Sequence, residues 1–185
     1  MSSQRDKPED EPSGLRPIWM LQNAEQLARR AGDTAGPRTV HARRSVSAAY
    51  YAVFHCLCIK VAWTAVPMGS DDTRYVLCRV FDHGPIDTIA KWVAQQATPP
   101  DAMDGLLRSL AELAELRMFA RRFVQLKDWR TIADYDHLRS VGRPMAVAAC
   151  KSARRALDAL DEVYGAPEWM TFTTLVLLRG SRAAR

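Results

Sequence analysis

The sequence predicts an all-α fold, an up-down helical bundle of about five main helices with short helices between them. Three observations predict this fold. Apolar side chains recur every three or four residues over long stretches, which is the period of an amphipathic helix. Clusters of proline, glycine and aspartate separate these stretches. One short segment has the composition of a β-strand, and the sequence holds no second segment to pair with it.

Length and composition predict a single domain. A chain of 185 residues with 48% hydrophobic residues is long enough to bury a core. Residues 1–14 are polar, charged and interrupted by prolines, so we expect a disordered lead there. The helical domain then covers residues 15–180, and residues 181–185 form a basic tail.

The cysteines and the N-terminus indicate the cellular compartment. The four cysteines include no CxxC pair, which argues against a zinc site and against a disulfide framework. Reduced thiols are typical of the cytoplasm, and the N-terminus has no apolar signal segment. We therefore expect a cytoplasmic protein that uses no cofactor or metal and does not bind a membrane.

Two helices are predicted in the first third of the chain. A short amphipathic helix covers residues 18–31, and residues 33–37 end it. The second helix runs from about Thr39 to Ala65. The side chains on its core face are Val46, Tyr50, Val53, Phe54, Leu57 and Val61.

The other side of this second helix carries a polar trio of Arg44, Tyr51 and His55. These side chains face solvent, or they line a site or the surface for a partner chain. The stretch 46–68 is apolar enough to be considered as a membrane span. Its helical periodicity and the charge of Lys60 favour a core helix instead.

The middle of the chain predicts two short helices and one long helix. The short helices cover 75–81 and 86–94, on either side of a turn at 83–85, and His41 and His83 are interpreted as surface residues. The prolines at 99 and 100 break the chain before the long helix. Its predicted buried face consists of Leu106, Leu110, Leu113, Leu116, Phe119, Phe123 and Leu126.

The last third predicts two further helices. Pro144 fits the first position of a long helix whose core stripe is rich in alanine, which indicates close packing against a neighbouring helix. Gly165 and Pro167 end it. Residues 171–178 have the propensity of a strand, but without a partner strand a short docking helix is the better prediction.

Positive charge is concentrated near the end of the long helix. The formal net charge of the chain is +5, yet between residues 117 and 155 ten Lys or Arg face three Asp, a net +7. Such a field suits a polyanion such as RNA. The alternative is a solvated helix surface without a ligand.

Arg130 and His137 are the candidate functional pair. Arg130 continues the apolar stripe of the long helix four residues beyond Leu126, and His137 follows seven residues later. Seven residues are close to two helical turns, so both side chains are expected on one helical face. The structural alternatives are an ion pair between Arg130 and Asp134 or Asp136, and a plain surface histidine.

Three strings resemble the HEPN superfamily, small all-helical domains named for nucleotide binding in higher eukaryotes and prokaryotes. RRSVSAAYYAVFH resembles the second helix of that fold, and FVQLKDWRTIADYD resembles the end of its long helix in the branch with an Ala-Asp-Tyr-Asp turn. WMTFTTLVLLRGS is similar to the short apolar helix that ends the same branch, which implies a helix there. The resemblance covers roughly residues 18–180.

The resemblance implies a function. Many members of the superfamily carry an arginine followed after four to six residues by a histidine and cleave RNA without a metal. Carried over, these residues are Arg130 and His137, with the histidine transferring a proton and the arginine stabilising the phosphate. The resemblance also implies a homodimer with a shared cleft. The candidate nucleic-acid contacts are Arg44, Tyr51, His55, Lys127 and Asp134.

A second function stays open beside this endoribonuclease hypothesis. Thr131 follows the arginine where active members usually have Asn, Asp or His, and the histidine is often not kept in this branch. The alternative is therefore a catalytically inactive HEPN-like module. It would bind RNA, a nucleotide or a nucleotidyltransferase-type antitoxin.

Overall fold

The structure is a computed structural model that describes residues 16–32 and 39–180. Within these ranges the chain forms helices and no β-strand, so the predicted all-α helical bundle is confirmed. The predictions for residues 1–14, 33–37 and 181–185 concern parts of the chain outside these ranges. The helices are α1 (Pro17–Arg30), α2 (Thr39–Ala65), α3 (Asp71–Arg79), α4 (His83–Val93), α5 (Asp104–Glu112), α6 (Ala114–Tyr135), α7 (Arg143–Val163) and α8 (Pro167–Gly180).

Helix α2 is the centre of the bundle and packs against α1, α3, α6, α7 and α8. Its bounds agree with the prediction, and so does its buried face of Val46, Tyr50, Val53, Phe54, Leu57 and Val61. Among the described helices, α2 is long and apolar enough to cross a membrane, but 61% of its most apolar window is buried inside the molecule. That burial is the property of a core helix.

The predicted long helix is two helices. Leu113 adopts an extended conformation, with φ −72° and ψ 106°, and separates α5 from α6. Leu106, which was predicted to be buried, is 42% exposed, and Leu107 is buried in its place, while Leu110 is buried as predicted. The prediction was wrong because one extended residue resets the phase of the apolar stripe. Neither a proline nor a glycine marks the break.

The short helices α3 and α4 begin earlier than predicted because side chains cap them. The Ser70 hydroxyl accepts from the backbone N–H of Thr73, and the Asp82 carboxylate accepts from that of Gly84. The predicted turn at 83–85 is therefore the first turn of α4. This capping makes His83 the first residue of a helix.

The chain ends in two helices that close the core. In α7, Pro144 is the second helical residue, one position later than predicted. The segment with strand propensity forms α8, so the docking helix is confirmed. Trp169 and Phe172 are buried, and the indole Nε1–H of Trp169 donates to Thr64 Oγ1 at 2.7 Å. The packing of α8 against α2 and α4 overrides its β propensity.

Candidate functional site

The last turns of α6 meet α2 at Arg130. Its Nη2 donates to the Tyr51 hydroxyl at 2.8 Å and to the Tyr135 hydroxyl at 3.3 Å. Its guanidinium carbon lies 5.4 Å from the ring centre of Tyr51 and 5.1 Å from that of Tyr135. Nε forms an ion pair of 2.6 Å with Asp134 Oδ2. We call Tyr51, Arg130, Asp134 and Tyr135 the Arg130 site.

The residues around Arg130 stabilise its positive charge. Burial works against the cation, but the neighbouring Tyr51, Asp134 and Tyr135 together raise the pKa of Arg130 above its ordinary value. The side chain of Arg130 is 19% exposed. A permanent cation is thus held with little freedom at a surface that keeps access to solvent.

Asp134 joins α6 to α2. One carboxylate oxygen pairs with Arg130, and the other accepts a hydrogen bond from the Ser47 hydroxyl of α2. The structural alternative for Arg130, an ion pair with Asp134, is therefore present. Because both oxygens of Asp134 are used within the protein, Asp134 orients Arg130, and its predicted contact with nucleic acid stays a prediction.

A second layer of aromatic and imidazole rings lies behind Tyr51. The Tyr50 hydroxyl and His83 Nδ1 share a hydrogen bond of 2.8 Å. The His83 ring packs on Phe54 with 3.8 Å between ring centres, and it meets Tyr51 edge-on at 5.7 Å. His55 stacks on Tyr51 at 6.1 Å. The predicted residues Tyr51 and His55 thus belong to the same cluster as Arg130.

The two imidazoles of this cluster are neutral at physiological pH. Burial lowers the pKa of His55. Burial and the nearby charge of Arg130 lower the pKa of His83. Burial also raises the pKa of Tyr50 far above its ordinary range, so its hydroxyl keeps its proton. His83 was interpreted as a surface residue, and that interpretation was wrong because Asp82 caps α4 and the bundle brings α4 against α6.

The structure does not bring His137 to Arg130 along a helix. Helix α6 ends at Tyr135, and Asp136 already has an extended backbone. His137 is exposed and makes no hydrogen bond or ion pair with the described residues. The predicted shared helical face of Arg130 and His137 is wrong, since residue 137 is not helical. A catalytic role of the Arg130 and His137 pair stays a prediction.

Arg43 explains why α6 ends where it does. From α2, its guanidinium donates to the backbone carbonyls of Ile132, Ala133, Asp136 and Arg139 at 2.6–3.2 Å. These carbonyls include the last acceptors of α6, which a continuing helix would use itself. The Asp136 carboxylate accepts from the backbone N–H groups of Leu138 and Arg139, both at 3.1 Å, and shapes the turn that follows.

Two predicted contacts form no hydrogen bond or ion pair with the Arg130 site residues. One is Arg44, which is exposed on α2. Lys127 forms an ion pair of 2.8 Å with the buried Asp87 of α4, whose carboxylate also binds Lys91 at 2.8 Å. The prediction missed Arg43, Tyr50 and His83. In the sequence, no local signal connects them with residues 130–135.

Comparison with known proteins identifies no relative of this chain. The chain matches no family model, no curated protein and no solved structure. The HEPN resemblance therefore depends on the three sequence strings and on the order in which they occur in the chain.

Proposed function

We propose that this chain is a HEPN-like helical domain that binds single-stranded RNA at the Arg130 site, where Arg130 holds a phosphate. One observation carries the proposal. Arg130 is clamped between two tyrosines and one carboxylate, while its Nη1 group makes no hydrogen bond with the described residues. Its two N–H donors remain available for a phosphate oxygen.

The rings around Arg130 favour a single strand over a duplex. The largely exposed Tyr135 presents an aromatic ring beside the cation. Unpaired bases stack on such rings, whereas bases inside a duplex are already stacked on each other. The net +7 charge between residues 117 and 155 adds attraction to the phosphate backbone.

Binding to a fluorescent single-stranded RNA, followed by anisotropy at low salt, tests this function. Arg130→Ala should weaken binding by about 10- to 100-fold, the loss expected for charged hydrogen bonds to a phosphate. The affinity of Arg130→Lys should lie between those of the wild type and Arg130→Ala, since lysine keeps the charge but not the planar fork. Arg79→Ala, at an exposed position on α3, is the control. Equal affinity of Arg130→Ala and Arg79→Ala would remove the proposal.

Metal-independent RNA cleavage at the same site is the second candidate. The observation that favours it is the pair of neutral imidazoles, His55 and His83, in the ring cluster next to Arg130. A neutral imidazole takes the proton of the 2′-hydroxyl. The 2′-oxygen then attacks phosphorus, the bond to the 5′-oxygen breaks, and that oxygen takes a proton from water. Arg130 would stabilise the additional negative charge on the phosphate.

Cleavage is tested with RNA in the presence of a chelator, and its product is a 2′,3′-cyclic phosphate. Variants His83→Ala, His55→Ala and His137→Ala show which imidazole takes part. Loss of activity in His137→Ala alone would support the Arg130 and His137 pair. A wild-type protein that binds RNA but leaves it intact would exclude cleavage and leave the binding function.

The homodimer remains part of the proposal. The HEPN resemblance implies it, and Leu138, which is 99% exposed, follows Tyr135 of the Arg130 site by three residues. A partner chain that covers Leu138 would remove its apolar surface from water. Light scattering should show a dimer for the wild type and a larger share of monomer for Leu138→Ser. A nucleotidyltransferase-type partner is an alternative occupant of the same surface.

A further inference from the structure

A basic groove lies between α1 and α7 and shares no residue with the Arg130 site. It encloses about 460 Å³. Its walls carry five cations, Arg29, Arg143, Lys151, Arg154 and Arg155, against the two carboxylates Glu25 and Asp158. Its floor is apolar, with side chains such as Ala28 and Val147.

Most of this positive charge is not neutralised within the described residues. Arg154 forms an ion pair of 2.5 Å with Glu25. The side chains of Arg29, Arg143, Lys151 and Arg155 are exposed and have no carboxylate of the described residues within ion-pair distance. An uncompensated group of cations around a concave surface attracts an anionic ligand from solution.

The groove and the Arg130 site are joined by one short piece of chain. Residues 136–142 run from the end of α6 to the start of α7, and Arg43 fixes the near part of this loop. Arg139 lies on it with a side chain that is 68% exposed. Fully extended, the chain from Tyr135 to Arg143 spans at most about 28 Å. Along α7, Arg155 lies about 18 Å beyond Arg143.

We propose that the α1–α7 groove is a second phosphate-binding surface, which takes the backbone of the same RNA strand that the Arg130 site holds. The proposal rests on the RNA-binding function given above. Arginines form four of the five cations, and their planar forks match phosphate oxygens. The apolar floor suits the sugars between phosphates. A membrane surface is flat and would touch the rims of the groove rather than its floor.

Single-stranded RNAs of two lengths test the proposal, because a short oligomer of about four nucleotides reaches one surface and one of about 20 reaches both. The groove variant combines Arg143→Ala, Lys151→Ala and Arg155→Ala. The control variant removes the same charge elsewhere, with Arg79→Ala, Arg108→Ala and Arg179→Ala, at exposed positions on α3, α5 and α8. Thermal melting verifies that both variants stay folded.

For the long RNA, the slope of log affinity against log salt should fall by about 2 in the groove variant, since each lost contact to single strands is worth about 0.7. The control variant should change that slope much less, and the short RNA should bind the groove variant and the wild type alike. Equal slopes for groove and control variants would overturn the proposal.

The outcomes separate this proposal from the function on which it rests. If Arg130→Ala abolishes binding of the short RNA while the groove variant binds the long RNA normally, the function stands and the groove proposal fails. If binding of the long RNA depends on the groove but not on Arg130, the proposal that one strand occupies both surfaces is overturned. If a poly-glutamate peptide depends on the groove and RNA does not, the groove binds an acidic protein and the proposal is overturned.

Discussion

The guanidinium of Arg43 donates a hydrogen bond of 2.8 Å to the carbonyl oxygen of Ala133, 90 residues away on α6. Three further carbonyls accept from the same side chain, and two of these belong to residues beyond the helix. One arginine of α2 therefore both ends α6 and fixes the turn that carries His137. The geometry of the Arg130 site depends on this contact, although Arg43 does not touch Arg130.

Replacement of Arg43 should destabilise the protein strongly. Arg43→Ala leaves the part-buried carbonyls of Ala133 and Asp136 without a donor, and we expect the free energy of unfolding to fall by about 3 kcal/mol. Arg43→Lys should recover only a part of this loss, because an ammonium group does not reach all four oxygens. Urea unfolding measures both. Arg44→Ala, at the exposed neighbouring position, should stay within about 0.5 kcal/mol of the wild type. An equal loss at positions 43 and 44 would contradict the capping role.

Stability should decrease in mild acid because of His83 and His55. Burial lowers the pKa of both imidazoles, and for His83 the charge of Arg130 adds to burial. The unfolded chain takes up these protons near pH 6.5, whereas the folded chain resists them. The free energy of unfolding is therefore not reduced by these two histidines above about pH 7, and it decreases as the pH falls below 6.5. A histidine that binds its proton only in the unfolded chain would lower the free energy of unfolding by about 1.4 kcal/mol per pH unit. Because His55 and His83 are partly exposed, we expect a smaller decrease.

Urea unfolding at pH 7.5 and at pH 5.5 measures this effect. In His83→Gln the difference between the two pH values should shrink, since glutamine can still bond to the Tyr50 hydroxyl but does not titrate. His137→Gln, at an exposed position, should keep the wild-type difference. A pH dependence that persists unchanged in His83→Gln would show that other groups cause it.

The fold was predictable from sequence to the extent that the apolar pattern is unambiguous. The bounds of α2 follow from an uninterrupted core stripe, and α8 follows because a single strand has no partner. The break at Leu113 was not predictable, because the residues around it all favour a helix and tertiary packing decides the conformation. The early starts of α3 and α4 depended on recognising Ser70 and Asp82 as caps.

The candidate site was predictable only where its members share a helix or a familiar string. Arg130, Asp134 and Tyr135 follow one another on α6, and Tyr51 and His55 follow one another on α2. His83 enters from α4, and its ring meets Tyr50 and Phe54 of α2 only in the folded bundle. Lys127 was expected to face a ligand, but the partner that occupies it, Asp87, lies 40 residues earlier in the chain.

Removal of Asp87 should be costly because it leaves two lysines without their shared partner. The side chain of Asp87 is 6% exposed, and Lys127 and Lys91 both lie 2.8 Å from its Oδ2. We expect Asp87→Ala to lower the free energy of unfolding by about 2 to 3 kcal/mol, below the upper range for a buried pair because both lysines are partly solvated. Glu162→Ala, at an exposed position on α7, is the matched control. Similar values for the two variants would show that the buried pair contributes nothing.

The hydrogen bond between Trp169 and Thr64 should fix α8 on α2. Trp169→Ala would open a cavity in the core and should cost about 3 to 5 kcal/mol. A double-mutant cycle separates the hydrogen bond from the packing, since Trp169→Phe and Thr64→Val each remove one partner. Thr64→Val alone leaves the indole N–H buried and unpaired, which should cost about 1 to 3 kcal/mol.

In the double variant Trp169→Phe with Thr64→Val, that unpaired donor is gone. The combined loss should therefore be about 1 kcal/mol smaller than the two single losses added together. Met170→Ala, next to Trp169 but 53% exposed, should change stability little and serves as the control. If the single losses simply add, the indole and the hydroxyl do not act together, and burial of the apolar side chains of α8 holds it without that hydrogen bond.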